Sequence, residues 1–358
     1  MARVNQKGII QAVSTASTAL GTYLDNGALF TRFNSNVQTR AHPSRDLIPD
    51  NSVGDGNPNP KKGKVNYFQP INLPHARPMD WTKSIRDIRD ALGGAITTVT
   101  NTTPGTVDST IVQLLPGLNP RARNQIESNG GLSLLYGDCY VQSFNVSQQG
   151  SAQPQFTSQV SNGGHFKEIA DTAIVVTDAV AEGSTLKDKF FDGKRTTLTF
   201  VIGATTYNLV NDEKRLFDVN LSYNQNVVVD PSIGDSALDT TVDCDGGYTT
   251  NCYIGDRPED MVKATIKFYA KTTYPEFDDW RGNKDITSFI LTFQSCETIG
   301  LTTHKTQIEF KIPISSWQIT SDVNGSFESY TAEFMAWGGD PTTKALLIPT
   351  VRQVAALT

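Results

Sequence analysis

Ser143-Phe144-Asn145-Val146-Ser147 recurs in residue type as Ser316-Trp317-Gln318-Ile319-Thr320, 173 residues later. Each copy runs into a turn, with Gly150-Ser151 in the first and Asn324-Gly325-Ser326 in the second. An alternating stretch follows, Gln155 to Ser161 or Phe327 to Trp337, and closes on a glycine pair, Gly163-Gly164 or Gly338-Gly339. The glycine pairs are 175 residues apart, close to half of the 358-residue chain. A hairpin recurring over half the length marks a domain period, since solenoid repeats are far shorter. The chain therefore reads as two tandem domains, 1–178 and 179–358, each long enough to bury its own core.

Strand alternation assigns the two faces of these hairpins. Phe144, Val146, Phe156 and Val160 fall on one side of the first copy, and Ser143, Asn145, Ser147, Gln155, Thr157 and Gln159 on the other. In the second copy Trp317, Ile319, Tyr330, Ala332 and Phe334 oppose Ser316, Gln318, Thr320, Ser329, Thr331 and Glu333. No charged residue occurs from Gln142 to Ser161, and from Ile314 to Trp337 the only charges are Asp322, Glu328 and Glu333. The chain has 31 Lys and Arg, so their absence from both hairpins calls for a reason. A solvated sheet face ordinarily mixes both signs and uses Lys to guard edges. A face along which a polyanion slides presents carboxylates and small neutral polar groups, because each cation holds a phosphate. Two readings of the polar face follow: the wall of a DNA conduit, or the Ser/Thr-rich solvent side of a β-sandwich.

Composition narrows the class. Hydrophobic content of 38% and charged content of 19%, with abundant Ser, Thr, Asn and Gly, favour strands and loops over long helices. A net charge of −6 argues against the clustered cations that grip nucleic acid. The N-terminal run Ile9 to Leu20 is too polar for a signal-peptide core and too short for a membrane span. Synthesis and assembly in the cytoplasm are the expectation, with no membrane insertion.

Strands are expected at Thr106 to Leu115, Leu132 to Val146, Ile174 to Val176, Thr196 to Leu209, Phe217 to Val229, Val262 to Thr273, Ile286 to Gln294 and Thr306 to Ile319, from their Thr and Val content and bounding Gly, Asn and Asp. The clearest helix is Trp81 to Leu92, with Asp80 as N-cap and Gly93-Gly94 as the stop. Its Lys83, Arg86, Asp87, Arg89 and Asp90 mark it as a surface helix covering one side of a sheet. A second short helix is expected at Ser184 to Phe191. Residues 35–70 are dense in Asn, Pro, Gly and charge without periodicity, and read as a projecting loop. The fold class is mainly β: two tandem antiparallel β-sandwich or half-barrel domains, each with a short flanking helix.

Nothing in the sequence argues for an enzyme, a cofactor or a metal. His42, His75, His165 and His304 lack the spacing of a zinc site. Gly193-Lys194-Arg195-Thr196 lacks the upstream glycine and strand of a phosphate loop. Asp243-Cys244-Asp245-Gly246 lacks the remaining oxygens of a calcium loop, and no nucleophile elbow occurs. Cys139 and Cys296 are isolated, whereas Cys244 and Cys252 leave a disulfide open.

The run Tyr136-Gly137-Asp138-Cys139-Tyr140-Val141-Gln142-Ser143-Phe144-Asn145-Val146-Ser147, its turn and the strand into Gly163-Gly164 resemble the signature stretch of bacteriophage tail tube (major tail) proteins, and Ser316 to Gly339 resembles a second copy. The resemblance implies a β-sandwich with a flanking helix whose hairpins join around a ring to line a tail lumen, with no catalytic residues. Two copies imply a fused subunit that forms pseudo-hexameric rings from three chains, stacked with other tail proteins in a virion. The twelve polar hairpin residues named above are then the lumen-facing set, past which genomic DNA moves without tight binding. Extended loops bridge successive rings in that family, a role the resemblance extends to residues 35–70. The alternative is a non-catalytic virion surface or adhesion module that binds a glycan or receptor.

Overall fold

The computed structural model describes residues 9–14, 29–37, 71–101, 105–128, 132–162, 166–170, 175–178, 190–209, 215–229, 236–238, 247–249, 252–269, 286–298, 304–324 and 327–353. The first elements are β1 (Ile9–Ser14), β2 (Leu29–Val37), β3 (Ile71–Asn72), β4 (His75–Pro78), the helix α1 (Lys83–Leu92), β5 (Gly93–Asn101), β6 (Thr106–Gln113), β7 (Arg123–Ser128) and β8 (Leu132–Gln149). Next come β9 (Gln155–Asn162), β10 (Phe166–Ala170), β11 (Val175–Asp178), β12 (Phe191–Ile202), β13 (Thr205–Asn208), β14 (Arg215–Asn224), β15 (Val227–Val229), β16 (Ser236–Leu238) and β17 (Gly247–Thr249). The last are β18 (Cys252–Ile254), β19 (Val262–Tyr269), β20 (Ile286–Thr298), β21 (Lys305–Ile312), β22 (Ile314–Asn324), β23 (Phe327–Gly338) and β24 (Ile348–Gln353). The fold is mainly β, as the composition requires.

Two antiparallel sheets pack face to face. The first runs β9–β8–β14–β19–β23–β22, with β3 and β4 added beyond β9. The second runs β13–β12–β20–β21–β24–β6–β5. Aromatic side chains join them: Phe144 lies 6.3 Å from Phe310 between ring centroids, and Phe334 lies 5.8 Å from Phe200 and 4.8 Å from Phe289. All belong to one continuous buried cluster. Strands from both sides of position 178 share both sheets, through β8 with β14 and β6 with β24. Arg352 reinforces the latter seam, with Nε and Nη2 at 2.7 and 2.8 Å from the Asp108 carboxylate.

A smaller sheet, β10–β8–β7–β1–β2–β11, has only its last pair parallel. It is joined to the first sheet because β8 serves both. The early part of β8 pairs with β7 and β10, and its later part with β9 and β14. The change of partners falls at Gly137-Asp138, where Asp138 has φ 51° and the β7 register shifts. Asp enters this left-handed region more readily than most side chains.

Local signals set several boundaries. The expected strand Thr196 to Leu209 divides into β12 and β13 at Gly203, with φ 60°, and Thr306 to Ile319 divides into β21 and β22 at Pro313, which has no N–H to donate. α1 begins at Lys83 rather than the expected Trp81, with Thr82 at the N-cap position; Asp80 still serves the helix start from two residues before it, its Oδ1 accepting the Thr82 and Lys83 N–H at 2.9 and 2.6 Å, and Gly93 ends the helix at φ 71° as expected. Residues 38–70 of the expected projecting loop, and 184–189 of the expected second helix, lie outside the described residues; Asn36 and Val37 close β2 and Phe191 opens β12.

The expectation of a solvated polar face on α1 is corrected. Asp87, Arg89 and Asp90 are buried, and arginines from neighbouring strands make that possible. Arg123 Nη1 lies 2.7 Å from Asp87 and 2.8 Å from Asp90, Arg77 Nη2 lies 2.6 Å from Asp87, and Ser158 Oγ donates to Asp87 at 2.7 Å. Burial alone would raise the Asp87 pKa, but Arg123, Arg77 and His75 outweigh it and hold the carboxyl well below its ordinary range. One carboxylate thus ties the helix to β4, β7 and β9.

Removing one member of a buried ion cluster leaves uncompensated charge, so Asp87→Ala is expected to cost about 3–5 kcal/mol in urea unfolding. Because the folded pKa of Asp87 is depressed, its contribution is complete above the unfolded value near 4 and is lost as pH falls through the lower folded value. The fall in wild-type stability below pH ~4 should be shallower in Asp87→Asn. Identical slopes in the two proteins would contradict the assignment.

Candidate functional site

The outward face of the first sheet is built by alternation on six adjacent strands. Val262, Ala264, Ile266 and Phe268 of β19 are buried, so Lys263, Thr265, Lys267 and Tyr269 point outward. On β14, Val219, Leu221 and Tyr223 are buried, and Asp218, Asn220, Ser222 and Asn224 take the outer side. Cross-strand register then arranges the face in rows perpendicular to the strands. One row reads Thr157, Asn145, Ser222, Lys263, Met335, Ser316; the next reads Gln155, Ser147, Asn220, Thr265, Glu333, Gln318. A third continues Gln149, Asp218, Lys267, Thr331, Thr320.

The twelve residues singled out from the sequence fall as follows. Ser147, Gln155, Thr157, Gln318 and Thr320 are exposed, and Ser143, Asn145, Gln159, Ser316, Thr331 and Glu333 are half-buried. Ser329 is buried at 2% exposure, beside its cross-strand neighbour Tyr269, and so presents nothing at the surface. The apolar partners Phe144, Val146, Phe156, Val160, Tyr330, Ala332 and Phe334 are buried; Trp317 and Ile319 are half-buried against the same core.

The two hairpins also match in register. Ser143, Asn145 and Ser147 oppose Gln159, Thr157 and Gln155; Ser316, Gln318 and Thr320 oppose Met335, Glu333 and Thr331. They are not adjacent, since β14 and β19 lie between them. That interposition adds the residues missed in the sequence, Lys263 and Lys267. Their alternation with Val262 to Phe268 was readable, but membership of β19 in this sheet depends on distant pairing.

Both lysines have a carboxylate on a neighbouring strand. Lys263 Nζ lies 3.2 Å from Glu333 Oε2, and Lys267 stands opposite Asp218. The outer side of the second sheet has the same balance, with Asp108, Glu309, Lys311 and Arg352 spread over β6, β21 and β24 and Arg352 paired to Asp108, whereas on the first sheet both lysines stand on β19 between two hairpins that carry no cation. Chemically, the first face offers hydroxyls, amides and balanced charges. It can hydrate a polyanion passing by, with Lys263 paired to Glu333 and Lys267 in register with Asp218.

His75, Asp87 and Ser158 come together without prior sign in the sequence, but His75 Nδ1 and Ser158 Oγ both meet Asp87 Oδ2, at 3.1 and 2.7 Å. All three are buried, and desolvation lowers the His75 pKa against the opposing pull of Asp87. This is the geometry of a helix anchor. Among the described residues no group of three His, Cys, Asp or Glu can hold a metal ion. Cys252 is a buried free thiol, pushed up to about 12 by burial, with Asp138 adding to the shift; Cys244 lies outside the described residues.

The half-exposed Lys263–Glu333 pair and the buried ring of Phe334 should respond differently to mutation. Glu333→Gln is expected to change stability by less than ~1 kcal/mol, whereas Phe334→Ala should cost about 3–5 kcal/mol. Comparable losses in chemical denaturation would show that Glu333 is a structural rather than a surface residue. No protein-family model matches the chain, and no curated protein matches its sequence.

Proposed function

We propose that the chain is a structural, non-catalytic subunit of a phage tail tube, assembled in the host cytoplasm and carried in the virion. The observation that supports it best is the six-strand face: both hairpins lie in one sheet whose outer surface is neutral or charge-balanced. Three such sheets edge to edge, each counting the β3/β4 edge as a seventh strand position, give about twenty-one strands, above the size at which a closed sheet encloses a water-filled channel. Genomic DNA would pass through that channel without tight binding.

Ring closure follows from the edges. Gln318 and Thr320 stand on β22, and beyond Ser315 no other described strand pairs with its outer side. The opposite edge of the sheet is the short pair β3 and β4. An edge strand without Lys, Arg or Pro is a template for another chain, and joining β22 to the β3/β4 edge of the next copy removes both edges. On this reading 1–178 and 179–358 are two tube units fused through shared sheets, three chains make a pseudo-hexameric ring, and other tail proteins meet the stack at its ends.

Electron microscopy of the purified protein over a concentration series is the test. Hollow filaments of uniform width with an axial repeat are expected; discrete particles at every concentration, with or without a tail initiator complex, would overturn the reading. In filaments formed by the triple variant Ser147→Lys, Thr157→Lys, Thr320→Lys, assembly should persist while genome passage slows. Unchanged passage through intact tubes would remove the bore assignment.

A further inference from the structure

The two ends of the sandwich differ in chemistry. Antiparallel strands gather alternate connections at each end, and hydrogen bonds identify which loops belong together. At one end Gly117 N–H donates to Ile254 O at 2.7 Å, Gln113 Nε2 reaches Met261 Sδ at 3.4 Å, and Leu346 N–H donates to Gln113 Oε1 at 2.8 Å. The last turn of the β23 strand, with Trp337, lies at this same end, because Lys263 near the start of β19 pairs with Met335. At the other end Gln148 Nε2 donates to Gly193 O at 2.7 Å and Thr196 Oγ1 to Gln148 Oε1 at 2.5 Å, joining the 150–154 turn to the start of β12.

The first end exposes apolar anchors and acids. Leu115, Leu118 and Trp337 are 44%, 49% and 62% exposed, three of the five large hydrophobic side chains exposed among the described residues. Asp256, Glu259 and Asp260 are exposed beside them. The cations there hold nearby carbonyls of the same end: Arg257 donates to the Lys344 carbonyl, and the exposed Lys344 donates through Nζ to Pro341 O at 2.8 Å, so three exposed acids stand against these two cations. The second end presents Lys194 and Arg195, both exposed, with Asp192 3.2 Å from Arg195 as the acid in contact.

We infer that the Leu115/Leu118/Trp337 end of one copy seats on the Lys194/Arg195 end of a second copy, with Asp256, Glu259 and Asp260 facing the two cations. The surfaces are opposite ends of one molecule, so the contact is heterologous and propagates in one direction with a fixed polarity. Large exposed aromatic and leucine side chains at the centre of a contact carry most of its affinity, and the complementary charges set register and exclude the head-to-head arrangement. This pairing rests on the tube reading and supplies its axial contact.

The test uses the full chain. One variant carries Asp256→Lys, Glu259→Lys and Asp260→Lys; a second carries Lys194→Glu and Arg195→Glu; a third carries all five. Each single-end variant should raise the critical concentration for filament growth at least tenfold, Trp337→Ser should do the same, and the five-fold variant should regain growth. An equimolar mixture of the single-end variants should also regain growth, as alternating rings, because each variant's two like-charged ends meet opposite charge on the other. All substituted positions are exposed, so circular dichroism and thermal melting should match the wild type. Wild-type growth in both single-end variants, or a folded five-fold variant that fails to grow, overturns the pairing while leaving the tube reading in place. Absence of filaments in the wild type instead removes the tube reading itself.

Discussion

Continuous backbone pairing through β8 is the constraint on which the rest of the structure depends. Its first part completes the small sheet with β7 and β10, and its second part opens the large sheet with β9 and β14. The turn of partner at Asp138 lets one strand satisfy both without leaving buried N–H and C=O groups unpaired. Phe144 and Val146 then reach the common core from the second part, where Phe144 stacks 5.9 Å from Phe156 and 5.2 Å from Tyr223. A break in β8 would therefore separate the small sheet from the hairpins.

The buried ion cluster shows how that frame is held. Asp87 is surrounded by Arg77, Arg123, His75 and Ser158, which come from three different strands. Such a cluster is weak as a source of stability against a hydrophobic alternative, yet it is intolerant of losing any one partner. Its value here is positional: it fixes α1 against β9, and so fixes the first hairpin relative to the rest of the sheet.

How much of this was legible in the sequence depends on the range of the interaction. Local signals were sufficient for the Asp80 bonds at the helix start, the Gly93 stop and the division of faces in both hairpins, because each rests on residues within a few positions. Long-range pairing was not. Nothing near Lys263 and Lys267 says that β19 stands between the two hairpins, and nothing near Asp87 and Asp90 says that arginines 10 and 36 residues from Asp87 permit their burial. Ser329 failed for a related reason: its alternation placed it with the polar set, but Tyr269 across the strand pair lies beside it. The β1, β2, β5, β7 and β24 strands lie outside every expected strand; β24 alternates cleanly in burial, but its six residues show this only once β21 and β6 pair on either side of it.

The contrast between faces gives the account its functional content. One sheet spreads two acids and two cations over three strands; the other has the same balance but keeps both lysines on β19, between two cation-free hairpins rich in amides and hydroxyls. The central claim is that the second kind of face lines a closed ring through the β22 edge. Hydrogen exchange of the 316–320 amides, followed from dilute to concentrated protein, tests this most directly. Exchange there should slow by at least tenfold on assembly, while the exposed 97–100 segment of β5 remains unchanged. Equal exchange at 316–320 in dilute and assembled protein would contradict ring closure through that edge.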